Sequence, residues 1–161
     1  MSIDPKTNIG HVHLTVANLE RSLTFYLDIL GFEVVTYYGD SAVFLSAGGY
    51  HHHIGLNTWS GPGIKPANLQ QAGLYHFAIL LPSRLELAKV LQNIQQANYP
   101  LKGASDHGVS EAIYLQDPDN IGVELYIDKP KDQWPKNAQG IIEMTSQPLD
   151  LNNLLAELAN S

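Results

Sequence analysis

Apolar and polar residues alternate along Glu111-Ala-Ile-Tyr-Leu-Gln116, break at Asp117-Pro118-Asp119-Asn120, and alternate again through Ile121-Gly-Val-Glu-Leu-Tyr-Ile127. A period of two marks a half-buried strand, and Asp, Pro and Asn favour turns, so this stretch predicts a hairpin. In its second strand Val123, Leu125 and Ile127 share one face, and Gly122, Glu124 and Tyr126 share the other. A carboxylate in so apolar a strand needs a partner or a metal, because an unpaired charge out of water is costly.

The chain upstream carries a second copy of the same pattern. Ile9 to Val16 predicts a strand in which His11 and His13 alternate with Val12 and Leu14. Asn18 stands as an N-cap, Arg21 to Leu30 carries Leu23, Tyr26, Leu27 and Leu30 on one stripe, and Gly31 sits where a helix ends. Three short strands follow, Phe32 to Tyr38, Ser41 to Ser46 and His52 to Thr58, separated by Gly39-Asp40 and Gly48-Gly49. From Ser60 to Gly73 the residues lose periodicity and turn to Gly, Pro, Asn and Gln. The pattern then restarts. Leu74 to Leu81 predicts a strand, Ser83 caps a helix with Leu87, Val90, Leu91 and Ile94 on its stripe, and three strands end near Asp128.

Laying one copy on the other sets His11 opposite His76, and Ile54-Gly55-Leu56 opposite Val123-Glu124-Leu125. The predicted fold is α+β. Two tandem βαβββ units, about 9–58 and 74–128 with a connector at 59–73, form a cup-shaped mixed sheet with helices outside, in a single domain 1–161. Residues 129–161 are expected to be a tail, with helix-forming residues from Leu151 to Leu158, that packs on the domain or leads to a partner.

Composition acts by exclusion. The 161 residues are 44% hydrophobic, enough for a real core, and the net charge is −7 with only nine Lys and Arg. Those nine are scattered, which argues against a nucleic-acid surface. The apolar runs are short and MSIDPKTNIG lacks the pattern of a signal peptide, so the expectation is a cytoplasmic protein with no membrane span. No Cys is present. Disulfides, zinc–thiolate sites and a cysteine nucleophile are thereby excluded, and His, Asp and Glu remain as the strong metal ligands.

The motifs GHVHLTV, LERSLTFYLDILGF, GGYHHHIGLNTW, GLYHFAILLPSR and GASDHGVSEAIYLQDPDNIGVELY occur in that order between residues 10 and 126. Together they resemble the vicinal oxygen chelate (glyoxalase/bleomycin resistance/dioxygenase) superfamily. Within it they are most similar to the type I extradiol dioxygenases, in particular the N-terminal half of the bacillus-type catechol 2,3-dioxygenases. The resemblance implies two βαβββ units around a metal, with His11, His76 and Glu124 at the positions of the ligands. It also implies supporting roles for His52 or His53 on the dioxygen side, for His107 against a catecholate, and for Tyr114.

The residue types suit that chemistry. Two His and one carboxylate on one face of Fe(II) leave positions open for substrate and O2, while Mn(II), Ni(II) or Zn(II) could fill the same ligands. Opening a catechol ring beside its hydroxyls requires a proton to be removed and later returned, which suits a neutral His. Gly55, the fourth equivalent position, has no ligand to offer, whereas the glyoxalase branch commonly uses four. The expected reading is an extradiol dioxygenase acting on a small aromatic diol with O2. A glyoxalase-type lyase or isomerase, and a bleomycin-resistance-type binding protein that sequesters a small molecule, stay open as alternatives. Ring-cleaving members usually have four such units and this chain has two, and a homodimer is expected to cover the exposed faces.

Overall fold

The structure, a computed structural model, describes residues 2–159. The chain divides into two compact units, one up to Pro66 and one from Ala67. No helix among the described residues is long and apolar enough to cross a membrane.

Unit 1 contains β1 (Val12–Thr15), α1 (Leu19–Leu23) running into a π-helical stretch (Thr24–Ile29), β2 (Glu33–Tyr38), β3 (Ala42–Ser46) and β4 (Ile54–Asn57). Its sheet has the order β1-β4-β3-β2, with β1 parallel to β4 and the other pairs antiparallel. Alternation sends Leu14, Leu45, Ile54 and Leu56 into the core, where Phe25 and Tyr26 of the helix meet them in burial. Asn18 caps α1 by accepting from the Arg21 N–H.

Several expected boundaries move by one to three residues, and two of these shifts have a clear physical reason. β1 is shorter than Ile9 to Val16, because pairing with the parallel neighbour begins only where the Val12 N–H reaches the His53 carbonyl. The helix begins at Leu19, and widens from Thr24 on, where the Leu30 N–H donates to the Phe25 carbonyl five residues back. The wider turn lets the neighbours Phe25 and Tyr26, and Ile29 and Leu30, all be buried.

Unit 2 repeats the arrangement with β5 (His76–Leu80), α2 (Arg84–Gln96), β6 (Gly103–Asp106), β7 (Ser110–Gln116) and β8 (Gly122–Asp128). Its order is β5-β8-β7-β6, extended at the β6 edge by one further strand, with β5 parallel to β8. The added edge strand β9 (Gln147–Pro148) comes from the tail. Each unit is thus a mixed sheet with the same connections, an α+β fold as the repeat predicts.

Ser83 caps α2 by accepting from the Glu86 N–H, and Leu87, Leu91 and Ile94 are buried. The β7–β8 hairpin turns on Asp117, whose Oδ1 accepts from the N–H groups of Asp119 and Ile121. The tail's α3 (Leu151–Leu155) is held by Arg84. That guanidinium donates to Glu111 Oε2 at 2.7 Å, to Glu157 Oε1 at 2.6 Å and to Asn153 Oδ1 at 2.8 Å.

Candidate functional site

Glu124 lies on β8 with Tyr114 of β7 directly opposite and β5 on its other side. Cross-strand neighbours on one face stand close enough for their side chains to meet. The Tyr114 hydroxyl donates to Glu124 Oε1 at 3.0 Å, and Glu124 Oε2 stands 2.9 Å from Nε2 of His76. The parallel pairing sets His76 opposite Gly122. A Cβ at Gly122 would run into the Tyr75 carbonyl and the His76 side chain, so glycine lets β5 close onto β8 here.

The row continues past Tyr114. Nε2 of His107 is 2.7 Å from the Tyr114 hydroxyl, and Nδ1 of His107 is 2.7 Å from the Thr145 carbonyl oxygen. Burial, and then the hydrogen bond and negative charge of Glu124, push the Tyr114 phenol well above its usual pKa, so it keeps its proton. A carbonyl only accepts, so the proton on the His107 side of that contact belongs to Nδ1. In a neutral His107 the Nε2 lone pair then faces the phenol, whose one proton stands between two acceptors, Nε2 and Oε1.

His76 and Glu124 fit a metal. Two donor atoms about 2.1 Å from one ion and at right angles to each other stand about 3 Å apart, which is the spacing between Nε2 and Oε2 here. The Glu124 side chain is 13% exposed and that of His76 32%, so the pair is reachable from solvent while its charge is largely sheltered. Among the described residues no three His, Cys, Asp or Glu form a group that could hold an ion. Unit 2 by itself therefore offers two candidate ligands.

Unit 1 gathers the other imidazoles. The rings of His11 and His52 are 4.5 Å apart, and Nδ1 of His51 is 2.8 Å from Nδ1 of His52. Burial, followed by the positive fields of His11, His51 and His13, pushes His52 below its ordinary value. The shift favours the uncharged ring, in which one nitrogen can accept. The structure separates the two residues that the sequence leaves together. His53 turns to the strand end, with Nδ1 3.1 Å from Ser46 Oγ and accepting from the Ala47 N–H, while His52 stands beside His11. His13 packs against Phe44 and Trp59 and lies over Gly55, where an added Cβ would meet its ring at 2.9 Å.

The structure thus brings His76, Glu124, Tyr114 and His107 into one row in unit 2, and His11 and His52 into a cluster with His13 and His51 in unit 1. Thr145 escapes sequence reasoning. Its contribution is a backbone carbonyl, which any residue carries, so no side-chain signal marks it.

Comparison with known proteins agrees with this architecture. Catechol-2,3-dioxygenase of Bacillus subtilis (strain 168) is 40% identical over 156 residues, which are 97% of this chain and 54% of that protein. Biphenyl-2,3-diol 1,2-dioxygenase 3 of Rhodococcus globerulus is 29% identical over 128 residues, 80% of this chain and 66% of that protein. This chain therefore spans about half to two thirds of the length of those relatives. Among solved structures, a glyoxalase/dioxygenase from Nostoc punctiforme matches with a TM-score of 0.65 at 16% identity, covering 81% of this chain and 97% of that one. That likeness is one of fold. The family model matches residues 8–125, and with the repeated mixed sheets it places the chain in the Glyoxalase/Bleomycin resistance protein/Dioxygenase superfamily.

Proposed function

We propose that this protein is an extradiol-type dioxygenase that opens the ring of a catechol-like substrate with O2, using a divalent metal, Fe(II) first among the candidates. His76 and Glu124 would hold the ion, with His11, the counterpart of His76 in the repeat, as the third ligand. The observation that carries the reading is the hydrogen-bonded row from the His76–Glu124 pair through Tyr114 to His107. The naming of the relatives as catechol and biphenyl-diol dioxygenases supports it.

When bound, such an ion supplies open positions for the diol and O2 and lowers the proton affinity of the diol hydroxyls. The residues do the rest. Glu124 gives one oxygen to the ligand role while Tyr114 holds the other, which fixes the rotation of the carboxylate. His107 Nε2, facing the phenol, is placed to receive a proton relayed through the Tyr114 hydroxyl from a diol bound beside it, and to return it by the same path. Both atoms of O2 enter the product as the carbon–carbon bond beside the hydroxyls breaks, so no external reductant is needed.

The test is to purify the protein without O2, load it separately with Fe(II), Mn(II), Ni(II) and Zn(II), and add catechols and air. A yellow ring-cleavage product formed with one O2 consumed per diol is expected. No product from any simple catechol with the metal fully loaded overturns the reading in favour of a lyase or a binding protein. A homodimer is part of the proposal, since Tyr37, Tyr38, Ile141 and Met144 are exposed. A light-scattering mass of one 17.7 kDa chain at every concentration would exclude it.

A further inference from the structure

We infer that the tail segment from Pro130 to Gln147 is a positioning strap that fixes which nitrogen of His107 carries the proton, with Thr145 as the positioning residue. In water a neutral imidazole is free to exchange tautomers, and in a protein the hydrogen bond made by one nitrogen decides the form presented by the other. Here Nδ1 faces a carbonyl at 2.7 Å. Only a ring with Nδ1–H satisfies it, and in the neutral ring that leaves Nε2 as an acceptor 2.7 Å from the Tyr114 hydroxyl, whose proton serves either Nε2 or Glu124 Oε1.

The strap is clamped to the loop that carries His107 on both sides of the ring. The Thr145 N–H donates to the His107 carbonyl at 3.0 Å, so Thr145 both gives to and accepts from this residue. Two residues further on, Gln147 pairs with Asp106 in the sheet. On the other side Pro135 presses on Gly108. There φ is +77°, and an added Cβ would lie 2.7 Å from Pro135 Cγ and 3.3 Å from Thr145 Oγ1. The strap is closed on itself by the Glu143 N–H donating to the Pro135 carbonyl at 2.9 Å. Pro135 and Thr145 are thereby tied to each other, and both stand against the loop.

What the tautomer is for rests on the proposed function, because a base at Nε2 matters only if a proton is moved there. The tautomer itself does not, and the experiment reads it without turnover. Two-bond ring nitrogen–proton correlation spectra of the metal-free, full-length protein with 15N-labelled histidine, at a pH where the ring is neutral, report the protonated nitrogen. The His107 signal is assigned by its loss in His107→Gln.

The expected result is Nδ1–H in the wild type, unchanged in Thr145→Ala, whose backbone carbonyl is intact. In Gly108→Ala, which drives the loop off Pro135, the signal should move to the Nε2–H pattern or to a mixture. A wild-type ring protonated on Nε2 overturns the inference whatever the variants do, including a Gly108→Ala chain that fails to fold. Retention of Nδ1–H in a folded Gly108→Ala protein overturns the role of the strap, and a changed tautomer in Thr145→Ala overturns the role of the carbonyl.

Discussion

Replacing Glu124 by Gln separates a ligand from a structural carboxylate. The amide has the same shape, its oxygen still accepts from Tyr114, and its NH2 can donate to His76 Nε2 over the same 2.9 Å once that ring carries its proton on Nδ1. The metal-free fold should therefore change by less than about 1 kcal/mol. Metal binding should suffer far more. One unit charge acting on another over about 4 Å at an effective dielectric of about 20 is worth ~4 kcal/mol. Halving that for the solvent that still reaches the pair leaves roughly 2 kcal/mol per unit of metal charge, so roughly 4 kcal/mol for a divalent ion, or about a thousandfold in affinity.

The assay is calorimetric titration with Mn(II), and with Fe(II) under anaerobic conditions, beside thermal melts of both metal-free proteins. A variant that melts like the parent and binds metal as tightly removes Glu124 from the ligand set. A variant that melts several kcal/mol lower shows the carboxylate to be structural.

His107→Phe should lower turnover about 10²-fold or more, the usual loss when general acid–base help is removed, with metal content unchanged; undiminished turnover would take His107 out of the mechanism. Burial alone would raise the Asp106 carboxyl, but the Lys129 ammonium at 2.6 Å and the Gly108 N–H hold it below its ordinary value. A depressed carboxyl contributes stability that is complete above the unfolded pKa of about 3.9 and is lost as pH falls through the folded value. Urea titrations of Asp106→Asn should accordingly show a deficit against the parent at pH 7 that shrinks in acid, and a deficit independent of pH would refute the linkage. Arg84→Ala should cost roughly 1–3 kcal/mol in the same assay, since it strips Glu111 and Glu157 of their cation; a loss too small to measure would mean that the tail docks without that network.

Elements whose side chains alternate or cap were legible in the sequence. The hairpin from Ser110 to Asp128 follows from period two and the Asp117 turn, and the start of α2 follows from Ser83. The need of Glu124 for a partner was legible from burial cost alone, and the ten-residue spacing from Tyr114 becomes a direct pair once the hairpin register is set. The widened helix at Thr24–Ile29 was not, because an adjacent pair of bulky residues repeated four positions on looks like an ordinary stripe with one residue to spare. His52 and His53 were indistinguishable in a run of three His, and only the fold of the strand end commits one of them to Ser46. The carbonyl of Thr145 leaves no trace in residue identity.

The ring of His13 over Gly55 bears on how the site could evolve. In unit 1 the parallel pair is His13 with Gly55, and the corresponding pair in unit 2 is Ala78 with Glu124. Large and small residues have changed places across the two strands. A carboxylate at position 55, the substitution that would give a fourth ligand, must displace a ring flanked by Phe44 and Trp59. A single substitution there is strained, because the His13 ring must move or position 13 must become smaller to admit the acid. A fourth ligand at position 55 is therefore expected to require two coupled changes, one at each of the paired positions 13 and 55.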